Sequence, residues 1–115
     1  VEIIEYKGKR FVFGNLSNQE EGKILQIQKE FTALAVREKI PFVIIDITNT
    51  TTTQAVKQES DNSVSSIKKA CGFVYTVIIG VRGIQKIIAN AITKDIYFAK
   101  DMNDAKEHLV NRFSE

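Results

Sequence analysis

The chain opens with short apolar–polar alternation and then switches repeatedly between helical spacing and continuous apolar runs. VEIIEYKGKRFVFG predicts two short strands around Lys7-Gly8-Lys9, where the glycine supplies the positive φ of a tight hairpin, so the first strand pair is antiparallel. Gly14-Asn15-Leu16 closes the hairpin. Ser17 followed by Glu20 is the S-x-x-E pattern that satisfies free N–H groups at a helix start, and it predicts a helix over about residues 18–38. Ile24, Ile27, Phe31, Leu34 and Ala35 form its inward stripe, Lys23, Lys29, Glu30 and Arg37 face solvent, and Pro41 ends it.

PFVIIDI is nearly continuous apolar, which suits a strand covered on both faces, with its exit at Asp46. A run of four threonines, Thr50 to Thr53, follows. Val56, Ser60, Val64, Ile67 and Cys71 then keep helical spacing, but QESDNSVSS between them leaves this second helix thin on its apolar face. GFVYTVIIG repeats the buried-strand pattern. GVRGIQKIIANAI turns through two glycines into a helix with Ile84, Ile87, Ile88 and Ala91 on one side, and a short strand DIYFA comes next. Asp101 caps a closing helix whose inward face is Met102, Ala105, Leu109 and Phe113.

The predicted order is β-β-α-β-α-β-α-β-α in one domain over residues 1–115, with no internal repeat or linker. Strands alternating with helices imply right-handed crossovers and an α/β fold, in which helices cover a mostly parallel five-stranded sheet with one antiparallel edge strand.

Composition narrows the classes. Apolar residues at 43% and charged residues at 26%, with six glycines and one proline, describe an ordinary globular domain that needs no disulfide or metal to hold it together. The sixteen basic and fourteen acidic residues are scattered without a block of like charge. Lys68, Lys69, Arg82, Lys86 and Lys94 do not make the dense, aromatic-interleaved stripe of a nucleic-acid binder. The single Cys71 excludes an intramolecular disulfide and fits a reducing compartment, and its spacing suits a buried, inert thiol. No apolar run approaches the ~18–20 residues that span a bilayer, so no membrane role is expected and the chain reads as cytoplasmic.

Four stretches carry a family likeness: the strand and G-x-L of FVFGNL, the apolar strand ending in aspartate of VIIDIT, the strand-turn-helix of VIIGVRGIQKIIANA, and the last strand and helix of IYFAKDMNDAKEHL. In this order they resemble the STAS domain of sulphate transporters and anti-sigma-factor antagonists, including its SpoIIAA-like members. The likeness covers nearly the whole chain. It implies a non-enzymatic regulatory module in bacterial signalling that faces a protein partner with the loop after the central strand and the helix beyond it. Signalling members carry a phosphorylated serine there in an Asp-Ser-Ser-Gly motif; this chain has Asn49 and Thr50, Thr51, Thr52 and Thr53 instead.

Candidate sites follow from residue chemistry. Phosphate on one of the threonines would be favoured at a helix start, while Thr53 before Gln54 is equally an ordinary N-cap. Asp46, at the carboxyl end of a central strand, either braces the turn or meets a ligand. Gly80, Arg82 and Gly83 form a turn that either cradles an anion or merely needs glycine, and they match no nucleotide fingerprint. His108, the single histidine, is placed on the surface beside Asp104 and Arg112.

The leading expectation is a protein-interaction module acting through residues 49–53 and the second helix. The alternative is a small-ligand or lipid carrier or sensor, with that helix as a lid over a pocket lined by Val56, Val64 and Ile67. No cofactor, catalytic set or metal site is expected, since no acid–base or nucleophile–base pair can be assembled. The exposed edge of the first strand leaves a homodimer open.

Overall fold

The structure is a computed structural model that describes residues 1–81 and 95–113. It is an α/β fold. Strands β1 (Glu2–Tyr6), β2 (Lys9–Asn15), β3 (Phe42–Asp46), β4 (Tyr75–Ile79) and β5 (Ile96–Ala99) form one mixed sheet in the order β1-β2-β3-β4-β5. The β1–β2 pair is antiparallel, and the three remaining pairs are parallel. Helices α1 (Glu21–Glu38), α2 (Gln54–Cys71) and α3 (Met102–Phe113) complete the described elements. The helix expected to carry Ile84, Ile87, Ile88 and Ala91 lies outside the described residues, as do Lys86 and Lys94.

Strand period two sorts the sheet into two faces. On the first, Val12 and Val43 stand side by side in register and pack under Ile24, Ile27, Phe31 and Ala35 of α1 and Val56 and Ile67 of α2. Consecutive parallel crossovers that move in one direction across a sheet put their helices on one face, and α1 and α2 share this one. On the second face, Phe11, Ile44, Tyr75, Val77, Ile79 and Ala99 meet Ala105 and Leu109 of α3. Each fully buried Ile, Leu or Phe contributes roughly 1.5–3 kcal/mol of transfer free energy, so both faces are anchored by apolar burial.

Gly14 allows α1 to sit close to the sheet: a Cβ there would stand 2.6 Å from Phe31 Cδ2, closer than side-chain carbons approach. Gly14 and Asn15 therefore belong to β2 rather than closing the hairpin. The hairpin itself turns at Lys7 and Gly8, both at positive φ.

Helix α1 begins later than Ser17 and Glu20 suggest. Ser17 spends its N–H (3.0 Å) and hydroxyl (2.5 Å) on Asn15 Oδ1, and Asn18 takes a left-handed conformation (φ +59°) with its N–H on Thr48 O at 2.9 Å. These bonds keep residues 17–20 out of the helix, and the N-cap is Glu20, without a side-chain cap bond. At its other end Lys39 is left-handed and Pro41 follows, as expected. On α2, Ser60 is exposed and Ser63 is buried in its place, because seven residues, two helical turns, bring position 63 back onto the Val56 face. Cys71 is half-buried against the first-face core, more open than its spacing suggests.

Candidate functional site

The carboxyl ends of β2 and β3 feed loops that run to the same face and are joined along their length. Leu16 N–H donates to Asp46 O (2.8 Å), Asn18 N–H to Thr48 O (2.9 Å), and the Asn49 side-chain amide to Asn18 Oδ1 (3.0 Å). Asp46 Oδ1 accepts both the N–H (2.9 Å) and the hydroxyl (2.7 Å) of Thr48, an Asx-type turn that holds the β3–α2 loop in shape. Ile47 N–H reaches across to Ile79 O at 2.9 Å, and Gly80, at φ +84°, lies so close under the loop that a Cβ would stand 2.9 Å from Thr48 Cα. Asp46 and Gly80 are thus brought together through Thr48. Arg82 and Gly83, the other members of the expected anion turn, lie outside the described residues.

The four threonines are not equivalent. Thr50 is half-buried, its hydroxyl donating to Ile47 O at 2.6 Å. Thr53 is the N-cap of α2: its hydroxyl oxygen accepts the Val56 N–H at 3.2 Å, and its backbone is extended (φ −90°, ψ 170°). Thr51 and Thr52 are exposed, together with Asn49. The loop thereby exposes Thr51 and Thr52 at the positive end of an 18-residue helix, while Thr50 and Thr53 fix its path.

Helix α2 rests on α1 through polar as well as apolar groups. Buried Gln28 donates from Nε2 to Val56 O at 3.2 Å, and its Oε1 meets no protein donor among the described residues. Thr32 and buried Ser63 share a hydroxyl bond of 2.6 Å, with the single Thr32 proton free to serve Gln28 O at 2.7 Å. Val56, Val64 and Ile67 pack into the core with α1, and neither of the two described surface cavities touches them.

The outward surface from Thr51 to Ser66 is chemically unusual. Its ten exposed positions hold one charge, Asp61; the rest are Thr51, Thr52, Gln54, Ala55, Gln58, Ser60, Asn62, Ser65 and Ser66, and the charged Lys57 and Glu59 are part-buried. On α1, five of eight exposed positions are charged: Glu21, Lys23, Lys29, Glu30 and Arg37.

On the opposite face, His108 is set into an aromatic cluster rather than on open surface. Its ring stacks on Tyr97 (centroids 3.6 Å apart, planes 4°), and Nε2 lies 2.9 Å from the Tyr75 hydroxyl. Tyr97 also donates to Asp104 at 3.2 Å. Burial first, and then the Arg112 cation, push the imidazole below its ordinary pKa, against the pull of Asp104. Burial raises both tyrosines. A shallow cleft of about 480 Å³ opens here, lined by these α3 side chains and Tyr97. The signal in the sequence was the spacing Asp104, His108, Arg112 on one side of a helix, but its tyrosine partners come from two strands. Among the described residues no three His, Cys, Asp or Glu side chains are grouped to hold a metal ion, and no helix is long and apolar enough to cross a membrane.

No family model matches the chain, and no curated protein and no solved structure matches it.

Proposed function

We propose that this protein is a non-enzymatic, STAS-like interaction module that works in the cytoplasm and docks a protein partner through the threonine loop and the outward face of α2. One observation carries the reading: between Thr51 and Ser66 nine of the ten exposed positions are uncharged, with Lys57 and Glu59 part-buried beside them, whereas five of the eight exposed positions of α1 are charged. Desolvating a charge on association is expensive, and protein interfaces are depleted in charged residues at their centres, so a neutral hydroxyl and amide face is the cheaper one to cover. The sheet below supplies a rigid platform, and Asp46, Thr48 and Thr50 fix the loop before a partner arrives, which lowers the ordering cost of binding.

Phosphate on exposed Thr51 or Thr52 would add close to two negative charges at the helix start and change this neutral face into an anionic one. Thr53 is a poorer acceptor than Thr51, because its oxygen is engaged in the cap.

The test is affinity capture from native extract with the wild-type chain, a Gln58→Arg/Asn62→Arg variant and a Lys29→Glu control. The reading expects a specific protein retained by the wild type and by the control, and weakened about tenfold or more by the paired arginines, with unchanged thermal unfolding. Equal retention by all three would remove α2 as the docking face.

A further inference from the structure

The amino end of the sheet, opposite the threonine loop, has a different character. Phe73, directly after the left-handed Gly72 at the end of α2, is 43% exposed, the one large aromatic side chain so open among the described residues. Its ring lies edge-on to Phe42 (5.8 Å) and tilted to Phe113 (6.2 Å), while Phe42 and Phe113 approach to 4.8 Å. Three elements, β3, the α2–β4 turn and α3, thus place phenyl rings at one point of the surface. Beside them, between the Lys7–Gly8 turn and the end of α1, a cleft of about 280 Å³ is floored by Ile40, Pro41 and Phe42.

Two cations stand over these rings, and others lie in the helix ends at the same end of the sheet. Lys9 Nζ stands over the Phe42 ring at 5.9 Å, Arg112 over Phe113 at 5.5 Å, and Lys39 reaches Ala70 O at 3.3 Å across the ends of α1 and α2. The last turn of α2 adds Lys68 and Lys69. Of the carboxylates at this end, Glu38 pairs with Arg10 and Arg37 and Glu107 with Tyr6 and Lys7, while Glu5, opposite Arg10, and Asp95, just before β5, also lie here. Lys9, Lys39, Lys68, Lys69 and Arg112 have no carboxylate within ion-pair distance among the described residues.

Helix polarity explains part of this. All three described helices end here, and Arg37, Lys68, Lys69 and Arg112 lie in last turns, where cations offset the negative end of the dipole. That accounts neither for Lys9, which sits on a strand, nor for an exposed phenyl ring among unpaired cations.

We propose that this end is a second docking site and that its occupant is an acidic peptide segment carrying an aromatic anchor. The anchor packs on Phe42, Phe73 and Phe113, and its flanking carboxylates meet Lys9, Lys39, Lys69 and Arg112. Charge complementarity selects an acidic partner, and the shallow cleft beside the rings can receive a peptide side chain more readily than a flat bilayer. Two of the cations, Lys9 and Arg112, stand over the rings themselves, which suits a short segment with an aromatic anchor better than a nucleic-acid backbone.

The site lies at the end of the sheet away from the threonine loop, so it goes beyond the proposed function and can fail without it. The probe is a short fluorescein-labelled peptide of one phenylalanine flanked by aspartates and glutamates, titrated by fluorescence anisotropy at low salt. Saturable binding is expected, weakened about tenfold or more by Phe73→Ser or by Lys9→Glu/Lys69→Glu, reduced by added salt, and unchanged by Gln58→Arg. Circular dichroism establishes that the variants fold, and the charge-reversed pair decides alone if Phe73→Ser does not. Absence of saturable binding, equal binding of the probe with serine for phenylalanine, or indifference to both variants would overturn the proposal. So would retention on phosphatidylserine vesicles or on a single-stranded oligonucleotide that the peptide fails to displace.

Discussion

Asp46 Oδ1 accepts two hydrogen bonds from Thr48, and Thr48 in turn lies against Gly80, so one carboxylate fixes the junction of three strand ends. The aspartate could be read from the sequence as a brace, because it ends an apolar strand just before hydroxyl residues; the glycine could not, because its neighbour is thirty-two positions away in the chain. His108 shows the same boundary more sharply. Its helical neighbours Asp104 and Arg112 are visible in the sequence, whereas Tyr75 and Tyr97 reach it only because two neighbouring parallel strands place them diagonally on one face. A neutral imidazole protonated at Nδ1 accepts the Tyr75 proton at Nε2, and protonation of Nε2 abolishes that arrangement. With its folded pKa below that of the unfolded chain, the unfolded state binds the proton first, so stability is full above about pH 6.5 and falls as the pH drops toward the depressed folded value. Glu38 and Glu107, lowered by Arg10 and Tyr6 respectively as first causes, lose stability in the same direction but in the lower carboxylate range. Urea midpoints measured from pH 7.5 downward should therefore decline through the histidine range in the wild type and stay flatter in His108→Gln; parallel curves would refute this account of the cluster.

At the scale of elements, α2 is held to its neighbouring helix by buried polar groups as well as apolar ones. Helix α1 buries Ile24, Ile27, Phe31 and Ala35, while α2 buries only Val56, Ser63 and Ile67 and is joined to α1 by side-chain hydrogen bonds. A helix held this way depends strongly on its ends. Thr53→Ala should cost about 1 kcal/mol in urea unfolding through loss of the Val56 N–H cap, while Thr51→Ala should stay within about 0.5 kcal/mol of wild type. Equal effects would mean that the threonine run does not divide into a cap and an exposed surface. The thin apolar face of α2, its threonine cap, the hairpin and the inward face of α3 were legible because each depends on local spacing. The start of α1 was not: Ser17 and Glu20 fit a capping box, but Asn15 and the Thr48 carbonyl, one of them from another loop, claim the groups that the box would have used.

Across the whole molecule, the sheet has two unlike ends. At the carboxyl end, loops from β2 and β3 converge on Asp46 and lead into the neutral face of α2; at the amino end, helix termini gather cations at the end that carries three phenyl rings. The alternation of strands and helices foretold the mixed sheet with its antiparallel β1–β2 pair. It could not foretell the basic end, because Lys9, Lys39, Lys69 and Arg112 are spread over the chain and meet only when parallel strands align their starts. A net charge of +2 conceals this arrangement. The central claim is that the neutral face of α2 receives a protein partner. Its most direct test is a photo-crosslinking residue placed at Gln58 or Asn62, compared with one at Lys29 on α1, irradiated in native extract and resolved by mass. The account predicts a discrete protein adduct from positions 58 and 62 and none from position 29; equal labelling from all three positions, or no discrete adduct from α2, would contradict it.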